Sequence, residues 1–104
     1  MAKAIEISVY KPHSGKGKQF IEGLLKTKKE MLAAGVSEYQ IIGGVAGKDV
    51  THVLVIQTFK SLADAGAIND SLVSGRALGD WMDSNSYTDL ADVVSHDLYE
   101  VLEG

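Results

Sequence analysis

The chain contains no cysteine. This excludes disulfides, thiolate metal ligands and thiol nucleophiles, and it fits a reducing compartment. Aromatic residues are few: two Phe, one Trp and four Tyr. Positive charge is also short, with ten Lys and Arg against fourteen Asp and Glu for a net charge of −4. The densest basic stretch, Lys26, Lys28 and Lys29, runs directly into Glu30, so no basic stripe is available for phosphate contacts and nucleic-acid binding is disfavoured. No apolar run reaches membrane-spanning length, and Met1-Ala2-Lys3 leads into a strand-like alternation without the apolar segment of a signal peptide. The expectation is a cytoplasmic protein with neither a membrane nor a nucleic acid as partner.

What is present is an ordinary globular share of hydrophobic residues, 45 % of 104, enough for one domain spanning 1–104. Ala4 to Tyr10 alternates strictly, with Ile5, Ile7 and Val9 opposed to Glu6, Ser8 and Tyr10. That period marks a strand, which Pro12 should end. From Gly17 to Ala34 the period becomes helical: Phe20, Ile21, Leu24, Leu25, Met31 and Leu32 share a face, and Gly35 stands at the stop position. Glu38 to Ala46 reads as a second strand with a bulge or a close backbone approach at Gly43-Gly44, and Thr51 to Phe59 as a third. Ser61 and Asp64 have the spacing of a helix N-cap before Leu62, Ala65, Ile68 and Leu72. Gly75 interrupts that pattern, a short helix with Ala77, Leu78, Trp81 and Met82 follows, and Asp92 to Leu102 reads as the last strand.

The order strand, helix, strand, strand, helix, strand describes two right-handed crossovers joined by a hairpin. The predicted architecture is therefore α+β, ferredoxin-like βαββαβ: an antiparallel sheet in the order 4-1-3-2 with both helices on one face. The alternation is read as placing Ile5, Ile7, Val9, Leu54 and Ile56 towards the helices. The opposite face then carries Ser8, Tyr10, Val53, Val55 and Phe59. Leaving the large apolar groups of that face in water would forgo roughly 1.5–3 kcal/mol each, so a homodimer through it is expected.

The run Ile5-Glu6-Ile7-Ser8-Val9-Tyr10, Gly15 before the first helix, the passage from Leu54 to Phe59 through Lys60-Ser61-Leu62-Ala63-Asp64, and the ending Leu98-Tyr99-Glu100-Val101-Leu102 resemble the dimeric α/β-barrel superfamily. The likeness is to its NIPSNAP-type and antibiotic-biosynthesis-monooxygenase-type branches, and it covers nearly the whole chain. The resemblance implies two protomers closing their sheets into one barrel, with a ligand space between sheet and helices or at the barrel mouth. Haem-degrading members carry an Asn on the first strand, a Trp ending the third and a His on the following helix. The matching positions hold Ser8, Phe59 and Asn69, so haem degradation by that route is not expected.

Three histidines remain: His13 after strand one, His52 before strand three and His96 within strand four. Their spacing is not that of a metal site. Neither a metal nor a cofactor is expected. His13 and His52 read as structural or surface residues, whereas His96 neighbours strand one, on a face the pattern leaves open. Ser14-Gly15-Lys16-Gly17-Lys18 lacks P-loop spacing and reads as a turn. The candidate ligand-binding set is Ser8, Tyr10, Gln57, Phe59 and His96, with Glu6 in the same polar row and no basis for assembling a Ser-His-Asp arrangement. Three functions follow. One is a cofactor-independent monooxygenase or related enzyme acting on a small hydrophobic or aromatic compound. Another is a non-catalytic, homodimeric small-molecule-binding or stress-associated module. The third is a purely structural association domain.

Overall fold

A computed structural model describes residues 2–47, 50–74 and 87–104, without the side chains of 72–74 and 87–88. The elements run β1 (Ala4–Pro12), α1 (Gly17–Ala33), β2 (Glu38–Gly43), β3 (Val53–Phe59), α2 (Leu62–Ser74), a one-turn α3 (Tyr87–Leu90) and β4 (Ala91–Glu100). The sheet is antiparallel in the order β2-β3-β1-β4, which is the predicted 4-1-3-2 order, and the fold is ferredoxin-like α+β. The second helical segment expected around Ala77, Leu78, Trp81 and Met82 lies outside the described residues. Among the described residues no helix is long and apolar enough to cross a membrane.

Helix α1 buries Phe20, Gly23, Leu24, Thr27 and Met31, a stripe at helical spacing, while Leu25 and Leu32 stay exposed. Thr27 is tolerated inside this face because its hydroxyl donates to the Gly23 carbonyl at 3.1 Å. The helix ends in a Schellman motif. The Gly35 N–H donates to Leu32 O at 3.2 Å and the Val36 N–H to Met31 O at 3.1 Å, and Gly35 takes φ +113°. Helix α2 is capped as expected, the Asp64 N–H donating to Ser61 Oγ at 3.2 Å. It buries Ala65 and Ile68, whereas Leu62 is exposed.

The bulge expected at Gly43-Gly44 is absent, since the β2–β3 register runs without a shift to Gly43↔Val53. The irregularity lies instead between Val9 and Tyr10, where β1 meets β4.

The assignment of sheet faces is the main correction. The helices cover the face of Ala4, Glu6, Ser8 and Tyr10 on β1, together with Val53, Val55, Gln57 and Phe59 on β3. The core comprises Phe20, Leu24, Tyr39, Val55, Phe59 and Ile68 among others, with Tyr10, Ile41 and Val53 packed against it. Ile5, Ile7, Val9, Leu54 and Ile56 belong to the outer face, paired as Ile7↔Ile56 and Val9↔Leu54. Strand alternation separates two sets of side chains without saying which set the helices cover. Here the polar set is covered, because aromatic rings surround it and its polar groups hydrogen-bond to one another. The face carrying Ser8, Tyr10, Val53 and Val55 is therefore not available to another protomer, and any sheet-to-sheet dimer must use the outer face.

Candidate functional site

The covered face carries a buried polar row. Glu6 lies opposite Gln57 on β3, Ser8 opposite Val55 on β3 and His96 on β4, and Tyr10 opposite Val53 on β3 and Val93 on β4. Central β1 thus holds three polar side chains in line at strand spacing, and each neighbouring strand adds one. Glu6, Ser8 and Gln57 are all buried. Gln57 Nε2 donates to Glu6 Oε1 at 3.2 Å, while Gln57 Oε1 is buried with no hydrogen-bond partner among the described residues.

His96 bridges two members of the row. Its Nδ1 is hydrogen bonded to the Ser8 hydroxyl at 2.8 Å, and its Nε2 lies 3.6 Å from Glu6 Oε1. The His96 side chain is 58 % exposed and that of Glu6 10 %, so the imidazole stands between a buried carboxyl and solvent. Burial pushes the Glu6 carboxyl above its ordinary range, opposed in part by the nearby His96 charge.

Tyr10 packs edge-on against Phe20 of α1, ring centroids 5.1 Å apart at 62°. Burial raises its phenol, a hydrogen bond with Ser8 lowers it and the Glu6 charge raises it further. Ser8, with one donor and two acceptor positions, is therefore the link between Tyr10 and His96. Tyr39 on β2, opposite Gln57, closes the other side. Its phenol is raised mainly by burial, with Tyr10 and Glu6 adding to the shift.

Of the expected set, Ser8, Tyr10, Gln57 and His96 come together on one face. Phe59 is on that face too, opposite Ala4, but it is completely enclosed in the core and acts as packing at the end of the row. The parity of His96, ambiguous in the sequence, is settled by the pairing Ser8↔His96. Two further residues join them. Glu6 belongs to the polar row but not to the expected ligand-binding set, and Tyr39 to neither. The alternation Glu38, Tyr39, Gln40, Ile41 in β2 is the sequence signal that points to Tyr39.

The sequence offered no reason to join a serine, a histidine and an acid, and the fold joins Ser8, His96 and Glu6. The arrangement is not that of an acyl-transfer triad. Ser8 is only 1 % exposed, and an enclosed hydroxyl cannot attack a substrate. The row is instead suited to holding and moving protons at the edge of the helix-covered face. Among the described residues no three His, Asp or Glu side chains cluster as a metal site. His13 lies apart from the row and is bound to the start of β4, its Nε2 3.0 Å from Asp92 Oδ1 and its Nδ1 2.8 Å from the Asp89 carbonyl oxygen. His52 directly precedes β3, and its carbonyl accepts the Gly44 N–H at 3.1 Å.

No protein-family model matches the sequence, and no curated protein matches it either. Solved structures do. A point mutant of SnoaB, a cofactor-independent oxygenase from Streptomyces nogalater, superposes with a TM-score of 0.73 at 10 % identity, over 98 % of this chain and 95 % of that one. A NIPSNAP family protein from Agrobacterium tumefaciens gives 0.72 at 14 % identity, over 98 % and 93 %. A Chloroflexus aurantiacus protein of the antibiotic biosynthesis monooxygenase type gives 0.70 at 14 % identity, over 98 % and 95 %. The chain accordingly has the ferredoxin-like fold shared by NIPSNAP and antibiotic-biosynthesis-monooxygenase-type proteins.

Proposed function

We propose that this protein is a cofactor-independent oxygenase acting on a small aromatic compound that bears an ionisable hydroxyl. The observation that carries the reading is His96, open to solvent and bonded at once into the buried row through Ser8. The fold it shares with a cofactor-independent oxygenase supports it.

Dioxygen reacts with closed-shell organic molecules by one-electron steps, so a substrate that supplies its own electrons must first become an electron-rich anion. Removing a phenolic or activated C–H proton makes that anion, and an imidazole is suited to the task near neutral pH. In the overall reaction an activated methylene becomes a carbonyl. One oxygen atom enters the product, and the other leaves as water with the two methylene hydrogens. His96 takes the proton, Ser8 orients the imidazole through Nδ1, and Tyr10 presents a polar edge beside Phe20. The working unit is a homodimer built through the outer face of Ile5, Ile7, Val9, Leu54 and Ile56.

The test is oxygen uptake with a panel of phenols that carry a ring methylene activated by the hydroxyl, with 18O₂ to follow the incorporated atom. Uptake with label in the product is expected, and His96→Asn should lower the rate by about 10²–10⁴-fold. No uptake from any of the panel, with a small molecule retained in native mass spectra of freshly purified protein, would favour the binding-module reading instead.

A further inference from the structure

We infer that Glu6 stands as the neutral carboxylic acid in the resting protein and donates its O–H to the side-chain carbonyl of Gln57. The inference does not depend on the oxygenase reading, since it concerns the resting protein.

A primary amide and a carboxylic acid satisfy one another through a pair of bonds. The amide N–H donates to one carboxyl oxygen, and the carboxyl O–H donates to the amide oxygen. The first of these bonds is present, from Gln57 Nε2 to Glu6 Oε1 at 3.2 Å. The second is what Gln57 lacks, because its Oε1 is buried without a partner among the described residues. An ionised carboxylate has no proton to give. Only the acid form completes the pair. A buried amide oxygen left without a donor is unfavourable, and a buried carboxylate more so.

The surroundings agree. Glu6 is 7 % exposed. Above this face α1 buries Phe20, Leu24, Thr27 and Met31, and α2 buries Ala65 and Ile68, none of them titratable. From the sheet the groups near it are Ser8 and Tyr10 on β1, Gln57 on β3, Tyr39 on β2 and His96 on β4. Among the described residues His96 is the one side chain able to carry positive charge within ion-pair distance, at 3.6 Å, and its ring is open to water. His96 is thus not a fixed counter-charge for an ionised Glu6.

The measurement is the protonation of Glu6 in the intact protein, read from the carboxyl carbon by 13C NMR and from the protonated-carboxyl band in isotope-edited infrared spectra. Glu6 should titrate above a glutamate in a model peptide, about 4.3, and Gln57→Leu should shift its midpoint. Glu6→Gln copies the neutral acid. Its melting temperature should equal that of the parent at low pH and exceed it increasingly as pH rises. A Glu6 signal that titrates at or below the model value would overturn the inference, as would a Glu6→Gln protein whose stability deficit grows with pH. The wild-type titration stands by itself if a variant does not fold. Oxygen uptake does not enter either readout, so failure here and failure of the oxygenase reading are separable.

Discussion

Ser8 and His96 lie 88 positions apart in the chain and 2.8 Å apart in space, the serine hydroxyl against Nδ1 of the imidazole. Their strands are direct partners, so the contact is a cross-strand pair on the helix-covered face, at the point where the sheet meets its β4 edge. It gives the exposed ring a fixed orientation. Ser8→Ala removes the hydrogen bond and should cost about 1 kcal/mol of stability. The same variant should free the imidazole, which 15N NMR of the ring would show as a mixture of tautomers. An unchanged single tautomer would mean that Ser8 does not orient His96.

The outer sheet face predicts the oligomeric state. Ile5, Ile7, Val9, Leu54 and Ile56 are only partly buried in the single chain, and they adjoin one another across β1 and β3. Burying groups of this size is worth roughly 1.5–3 kcal/mol each, so light scattering after size exclusion should give twice the monomer mass. Ile7→Lys places a charge at the centre of the face and should give a folded monomer. A wild-type monomer at micromolar concentration would remove the dimer.

His13 should make stability depend on pH in a direction its partners dictate. Asp92 Oδ1 and the Asp89 carbonyl both accept hydrogen bonds, one from each ring nitrogen, and only the imidazolium has two N–H donors. The hydrogen bond to Asp92 is the largest cause that raises the His13 pKa, followed by that to the Asp89 carbonyl. A histidine raised in the folded state stabilises fully below its unfolded value, about 6.5, and that contribution is lost as pH rises through the folded value. Melting temperature should therefore fall from pH 6 upward by more in the parent than in Asp92→Asn. Equal slopes would show that the contact carries no linkage. The His13 side chain is 38 % exposed and that of Asp92 70 %, so the effect should be small and should shrink with added salt.

Gly35 ends α1 with φ +113°, and a Cβ built there would meet Ile68 Cδ1 at 3.5 Å, an ordinary contact. The cost of Gly35→Ala is thus conformational rather than steric, about 1–2 kcal/mol. Chemical denaturation should show it as a lower midpoint with an unchanged slope.

Local pattern decides the order of elements here. The alternation of Ala4 to Tyr10, the helical stripe of Phe20, Leu24 and Met31, the Ser61 cap and the Gly35 stop are properties of short segments, legible because backbone geometry ties side-chain direction to residue spacing. With crossover handedness they also determine the strand order. They do not determine which face of the sheet the helices cover, because a strand with Ile5, Ile7 and Val9 on one side and Glu6, Ser8 and Tyr10 on the other reads the same from either side. The tertiary structure decided that by setting Phe20 against Tyr10 and enclosing Glu6 and Gln57 as a bonded pair. The register of β4 was likewise not legible, since the irregularity between Val9 and Tyr10 shifts the pairing by an amount that no local pattern encodes. That register brings His96 to Ser8 and Glu6. The residues of the candidate site could be named from the sequence, but their union depends on pairing between the two ends of the chain, a non-local contact that only the assembled sheet supplies.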